Sequence, residues 1–366
     1  MLKAALGVLF SFVALVVFPP VAHAADTSTA ARSAKHKAQP KKASGTRAVK
    51  RSKAKRRAAA TTKATAKPVR SSAVRRKGNF QRVGYSPAIN NAPAQLTAGD
   101  IAGLHLTRDP LELKSNVALV IDQNTSDVLL DKNASVALPI ASITKLMTAL
   151  VVVEANQRMD ELLTVTDADV DREKFSHSRL RVGSQLTRAD MLHIALMSSE
   201  NRAASALGRH YPGGIGTFVA AMNAKARQLG MSSTRYVDST GLSSGNVSSA
   251  RDLAKLVVAS YQHPVIREYS TDQKYVVEPG AGVLHYKNSN YLVDNSDWNI
   301  GLQKTGYIAE AGRCLVMQAK IEGRAVVMIF LDSKGKLSRI ADASRVRRWI
   351  ESNRPFLSSR IVAQQG

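Results

Sequence analysis

Ser142-Ile143-Thr144-Lys145 sets a hydroxyl and an amine three residues apart. On a helix, positions i and i+3 share a face one turn apart, so two such side chains can meet. A hydroxyl becomes a nucleophile when a neighbouring base takes its proton. A lysine amine, with an ordinary pKa of about 10.4, is a poor base at neutral pH, but burial and a nearby cation lower that value. A helix N-terminus adds a free backbone N–H and a field that favours developing negative charge. The S-x-x-K pattern is short, and Ser52–Lys55 and Ser333–Lys336 repeat it. Alone, any copy reads equally as a helix cap with a surface lysine. Only Ser142 follows an apolar Leu138-Pro139-Ile140 and opens an amphipathic helix, in which Ile143, Leu146, Met147, Leu150 and Val151 recur at helical spacing.

Two more clusters carry polar chemistry. Ser199-Glu200-Asn201 falls in the turn between two expected helices, where a hydroxyl can pass a proton and an amide can hold a substrate amide or the lysine. Ser244-Gly245-Asn246 has the same form, and such a trio alone reads as a helix cap. Lys304-Thr305-Gly306 ends an expected strand and is the one K-T-G in the chain. A cation and a hydroxyl on a strand edge can bind a carboxylate, and a glycine there admits a substrate backbone at close range. Read without its neighbours, it is a strand end before a loop.

The elements that must position these groups run from about Ser115 to Asn353. Val117–Gln123 and Asp127–Asp131 read as strands joined by Asn124-Thr125-Ser126. Thr187-Arg188-Ala189-Asp190 has the shape of a capping box and opens a helix to about Met197. Arg202–His210, Gly216–Leu229 and Ser249–Ser260 read as helices, Asn299–Tyr307, Leu315–Ile321 and Ala325–Leu331 as strands, and about Leu337–Glu351 as a last helix. Strands at both ends with helices between imply an α+β fold: an antiparallel sheet closed by both ends of the domain around a helical insertion.

The charge of the chain is concentrated. The net charge is +24, and residues 25–77 hold 18 Lys+Arg against Asp26 alone, or +17. From Gly78 onward there are 33 basic and 27 acidic residues, or +6, so a uniformly basic nucleic-acid-coating protein is excluded. Met1-Leu2-Lys3, an apolar run over 4–18 and Ala22-His23-Ala24 form a secretory signal peptide with cleavage after Ala24. Residues 25–77 lack large apolar side chains and are expected to be a disordered basic arm. Export points that arm at anionic envelope polymers or to service as a solvated tether, with no nucleic-acid partner expected. Residues 78–113, with Pro87, Pro93 and Pro110, read as a linker, 114–353 as the catalytic domain and 354–366 as a tail. The single cysteine, Cys314, excludes an intramolecular disulfide framework. His177, His193 and His210 have no metal-ligand spacing, so neither metal nor cofactor is expected.

In their order and settings, the three motifs resemble the set of the penicillin-recognising serine enzymes, over about residues 113–353. Within these the chain is most similar to low-molecular-weight penicillin-binding proteins, and among them to the D-alanyl-D-alanine endopeptidases of the penicillin-binding protein 7 type. Leu138–Met147, Met197–Ala204, Asp238–Leu242, Asn288-Ser289-Asn290 and Lys304–Leu315 carry the likeness; Asp238-Ser239 and Asn288-Ser289-Asn290 depart slightly from the commoner forms. The resemblance implies Ser142 as the acylated nucleophile, Lys145 as its base, Ser199 as a proton relay and Asn201 as a substrate holder. It implies Lys304 and Thr305 as carboxylate binders, with Gly306 completing that motif. The backbone N–H groups of Ser142 and Tyr307 would form an oxyanion hole. The implied partners are peptidoglycan stem peptides and cross-bridges, with β-lactam antibiotics as covalent inhibitors, and the implied place is the periplasm.

Three activities are compatible with the motif set: an endopeptidase, a D-alanyl-D-alanine carboxypeptidase and a class A-like β-lactamase. The last needs a carboxylate base between the second and third motifs. Glu268 and Glu278 are the glutamates there, and neither stands in E-x-x-L-N. Only 60 residues follow Gly306, used by two strands and a helix, so no added β-rich domain or C-terminal anchor is expected. That favours cleavage of cross-bridges over removal of terminal D-Ala.

Overall fold

The computed structural model describes residues 95–353, Ala281 excepted. The expected signal peptide, basic arm, most of the linker and the tail lie outside the described residues. Eleven strands are described: β1 (Ser115–Asp122), β2 (Val128–Lys132), β3 (Leu138–Pro139), β4 (Leu162–Thr164), β5 (Gln185–Thr187), β6 (Val247–Ser248), β7 (Lys274–Val277), β8 (Leu284–Lys287), β9 (Asn299–Ile308), β10 (Gly312–Ile321) and β11 (Arg324–Ser333). The helices are α1 (Ala98–Ile101), α2 (Thr144–Glu154), α3 (Arg188–Met197), α4 (Asn201–Arg209), α5 (Gly214–Gln228), α6 (Ala250–Tyr261), α7 (Pro264–Thr271) and α8 (Ser338–Ser352).

The main sheet has the order β2-β1-β11-β10-β9, antiparallel throughout, so the first and last strands of the domain pair at its centre. This is the expected α+β sheet with its helical insertion. Period-two alternation sends Leu315, Met317, Met328 and Phe330 to one face, where Ala343, Val346 and Ile350 of α8 cover them. Val117, Leu119, Val316, Val327 and Ile329 face the other way, into a larger core shared with α2, α3 and α6. β9 is an edge strand.

Helix α2 departs from the amphipathic expectation. Thr144–Val152 are all buried, so the helix is enclosed on every side. Its polar residues survive burial because each is bonded: Thr144 Oγ1 donates to the Ala141 carbonyl at 2.8 Å and Thr148 Oγ1 to that of Ser239 at 2.7 Å. Leu146, Met147 and Leu150 are fully buried, and each such side chain stabilises by about 1.5–3 kcal/mol relative to exposure. A Leu150→Ala change would cost about 2–5 kcal/mol and loosen the platform that holds Lys145.

Residues 95–113 correct the last part of the linker expectation. Thr97 caps α1 in a reciprocal box with Asp100, and its hydroxyl donates to Asp332 at 2.9 Å. The Ala98 N–H donates to the Glu310 carbonyl at 2.9 Å, and Leu113 is buried under the sheet. A Cβ at Gly99 would lie 2.0 Å from an Asp332 oxygen, so this close approach requires glycine. The prolines made this stretch read as a linker; tertiary contacts to β11 and the β9–β10 turn override that signal over residues 95–113.

Candidate active site

Ser142 sits in a single 3-10 turn, Ala141–Ile143, immediately before α2. Ala141 has φ +48°, an unfavourable left-handed conformation for a residue with a Cβ. Two glycines hold this turn. Gly241, at φ +81°, lies so close that a Cβ would stand 2.0 Å from the Ala141 carbonyl oxygen. A Cβ at Gly306 would stand 2.9 Å from the Ile140 oxygen and 3.1 Å from the Ser142 nitrogen. The glycine of K-T-G therefore lets β9 approach the nucleophile's own backbone, where the sequence suggested approach by substrate.

Lys145, on the first turn of α2, is 1% exposed. Its Nζ is 3.0 Å from Ser142 Oγ, 2.7 Å from Asn201 Oδ1 and 2.6 Å from the Thr240 carbonyl oxygen. Burial lowers its pKa to about 7, while Asp238 and Glu200 oppose the shift. An ammonium would donate to all three acceptors. A neutral amine donates two protons, to Asn201 and Thr240, and turns its lone pair to the Ser142 hydroxyl. This is the geometry of a base poised near neutral pH.

The Thr240 carbonyl is held by a loop that the sequence showed only as a supporting stretch. Asp238 accepts from the N–H groups of Thr240 and Gly241 at 2.6 Å each, from Ser243 N–H at 3.1 Å and from Asn246 Nδ2 at 2.6 Å. Asn246 is fully buried, so the second S-x-N, of the same form as the first, has a structural task in this loop. The density of Asp, Ser, Gly and Asn between 238 and 246 was the available signal.

The first S-x-N links α3 to α4. Ser199 takes φ +64°, and its hydroxyl has no hydrogen bond among the described residues. Glu200 caps α4 and is buried, accepting from Ser178 Oγ at 2.7 Å and Tyr286 OH at 3.4 Å. Asn201 joins Lys145 to the loop before α3 by donating from Nδ2 to Ser176 Oγ at 2.8 Å. Neither Ser176 nor Tyr286 was visible as a site residue, because both arrive from elements remote in sequence. His193 is buried on α3, stacked on Tyr269 at 4.2 Å and 2.9 Å from an Asp272 oxygen.

On β9, Lys304 is fully buried, and its Nζ donates to the Thr305 carbonyl at 2.8 Å. Burial lowers its pKa well below the ordinary value, and the charges of Lys145 and Arg339 add to the effect. Thr305 Oγ1 and Ser289 Oγ are 2.7 Å apart, which ties K-T-G to the Asn288-Ser289-Asn290 stretch. Tyr307 is 55% exposed, the next residue out on the same face. Arg339, near the start of α8, was missed by the sequence reading. It is 7% exposed and keeps Nε and Nη1 without a partner among the described residues. Together, Lys304, Thr305 and Arg339 give donors and cations without a carboxylate to match, an arrangement suited to an anionic ligand. The three motifs thus meet in one cleft, from a helix start, an inter-helix turn and an edge strand.

Comparison with known proteins agrees with this geometry. A family model described as D-alanyl-D-alanine carboxypeptidase, peptidase family S11, matches residues 105–335. The D-alanyl-D-alanine endopeptidase of Pseudomonas aeruginosa is 50% identical over 254 residues, covering 69% of this chain and 81% of the relative. That of Escherichia coli is 46% identical over 245 residues, covering 66% and 79%. Among solved structures, the Streptomyces K15 DD-transpeptidase aligns with a TM-score of 0.61 and 26% identity, over 66% of this chain and 98% of that one. Penicillin-binding protein D2 of Listeria monocytogenes, in its cefotaxime-bound form, aligns with a TM-score of 0.59 and 29% identity over 66% and 98%.

Proposed function

This chain belongs to the D-alanyl-D-alanine carboxypeptidase family of serine peptidases, and from that premise we propose that it hydrolyses D-Ala–diaminopimelate cross-links of peptidoglycan. The observation that carries the chemistry is the Lys145 amine, 3.0 Å from Ser142 Oγ and with its pKa brought to about 7. The names of the two relatives at 50% and 46% identity support the cross-link as the target.

In this reading Lys145 takes the Ser142 proton as Oγ attacks the D-Ala carbonyl carbon. The N–H groups of Ser142 and Tyr307 receive the oxyanion, a contribution that is usually among the largest in acyl transfer. Collapse breaks the C–N bond, and the proton passes from Lys145, by way of Ser199, to the leaving amine of diaminopimelate. Asn201 holds the donor amide. Lys304, Thr305 and Arg339 bind the carboxylate beside the leaving amine, and Gly306 keeps β9 against the nucleophile. Water then attacks the acyl-enzyme and gives a proton to Lys145, which returns it to Ser142 Oγ as the ester C–O bond breaks and the D-Ala carboxylate leaves.

A penicillin carries a carboxylate beside its reactive amide and would acylate Ser142 in the same pose. The absence of a glutamate in E-x-x-L-N between the motifs supports a long-lived adduct over β-lactamase turnover. The signal peptide over 1–24 supports export to the periplasm, and the +17 arm over 25–77 supports contact with anionic envelope polymers. Among the described residues no helix is long and apolar enough to cross a membrane.

The test is mass analysis of purified muropeptides after incubation with the mature protein. Conversion of dimers to monomers is the expected result. Release of D-Ala from pentapeptide monomers with dimers untouched would replace this reading by a carboxypeptidase.

A further inference from the structure

A cavity of about 460 Å³ opens beside the β9–β10 turn, next to the cleft and outside the three motifs. Tyr307, Arg313 and Ser333 stand in register across β9, β10 and β11, so they share the face that α8 covers further along. Thr305 lies on this face too, paired with Leu315. The cavity therefore continues outward from the position assigned to the leaving group's carboxylate. Its far wall is the docked segment Gln95–Thr97 with Asp100.

The lining is cationic. Arg313, Lys334 and Lys336 face one carboxylate, Asp100, which Lys334 already holds at 2.6 Å. Arg313 lies over the Tyr307 ring at 4.4 Å and has no ion pair among the described residues. The buried guanidinium of Arg339 has two nitrogens unpartnered among the described residues, and burial, with the Arg313 charge adding to it, lowers its pKa. Cations crowded without carboxylates are costly unless an anion completes them.

A terminal D-Ala leaving group ends at its own carboxylate. The leaving group of a cross-link is a whole stem peptide with further carboxylates. We propose that this cavity is the subsite for that leaving peptide: Arg313 and Lys336 bind its carboxylates, and the Tyr307 ring supplies an apolar wall. The inference rests on the endopeptidase reading and adds to it a physical basis for preferring cross-links.

The experiment uses the full mature chain with Arg313→Gln and Lys336→Gln combined, and Lys336→Glu alone as a surface change that spares folding. The measurements are kcat/KM for purified dimeric muropeptide at several salt concentrations and the second-order rate of acylation by labelled penicillin. Dimer cleavage should fall about five- to tenfold and lose part of its salt dependence, the size expected for one or two partly exposed charge contacts. Acylation should change less than about twofold, with full labelling stoichiometry showing that the variants are folded. Unchanged dimer cleavage, or a parallel fall in both rates, would overturn the subsite. A wild-type protein that is acylated by penicillin but leaves dimers intact would remove the endopeptidase reading and this subsite with it.

Discussion

Two lysines are buried in the cleft, and their surroundings differ. Lys145 reaches three oxygen acceptors and is flanked by the carboxylates of Asp238 and Glu200. Lys304 reaches one carbonyl, and its charged neighbours are Lys145 and Arg339. Burial lowers both pKa values. Acidic neighbours hold the first near 7, where an amine can take a proton and return it. Cationic neighbours add to the lowering of the second and disfavour its charged form, which a bound anion would stabilise. Equal burial thus supports the proposed roles of a base in one region and an anion receptor in the other.

The largest effect should separate these roles directly. Lys145→Ala should lower the rate of acylation by labelled penicillin about 10²–10⁴-fold, the usual range for a positioned base. Combining it with Ser142→Ala should add little, because nucleophile and base act as a unit. Lys304→Ala should cost about 10–100-fold, as expected for a lost charged hydrogen bond, and should appear chiefly in the concentration needed for half-saturation. Near-native acylation by Lys145→Ala would erase the distinction.

Much of this comparison was legible in the sequence, because S-x-x-K and K-T-G have fixed spacing and stand on strongly patterned elements. The strands that became β1, β9, β10 and β11 and the helices that became α3, α4 and α6 lie within a few residues of their expected bounds. The enclosure of α2 was not legible: periodicity registers apolar residues, whereas Thr144, Lys145 and Thr148 are buried through bonds to remote carbonyls. Helix α7 and the β7–β8 hairpin went unread because Pro264–Lys287 has no sustained period. The Thr240 carbonyl and Arg339 escaped because a backbone oxygen and a lone arginine carry no pattern. They join the site only when the chain folds back on itself.

The pH dependence sharpens the contrast, since the two lysines should govern opposite limbs. Acylation needs neutral Lys145, so the rate should fall about tenfold per pH unit below its pKa of about 7. Glu200→Gln removes a carboxylate that favours the ammonium and should move this inflection to lower pH. A bound carboxylate favours protonated Lys304, so binding takes up a proton and weakens as pH rises. An ester substrate lacking the carboxylate should keep the acid limb and lose the alkaline one. The same alkaline fall with both substrates would remove Lys304 from that limb.

The smallest effect concerns stability, where the same contrast should reverse the usual cost of mutation. Methionine has about the volume of lysine and no charge. At Lys304 it removes an amine that burial and two cations disfavour and gives up a single hydrogen bond to Thr305. Replacing buried charge by a packed apolar side chain is often neutral or stabilising by about 1–4 kcal/mol. At Lys145 the same change strands Asn201 Oδ1 and the Thr240 carbonyl, at a cost of about 1–3 kcal/mol for each acceptor left unsatisfied. Linkage gives the sign with pH. The Lys145 pKa falls from 10.5 unfolded to about 7 folded, so between these values the unfolded chain holds more protons and the native protein gains stability as pH rises. Any advantage of methionine at position 145 should therefore be largest at or below pH 7 and shrink toward pH 10.5. Thermal unfolding at pH 7 should place Lys304→Met above the wild type by about 2–4 °C per kcal/mol gained, with Lys145→Met at or below it. A melting temperature for Lys304→Met below that of Lys145→Met would mean that Lys304 is held by more than the one acceptor, and the two regions would no longer differ in kind.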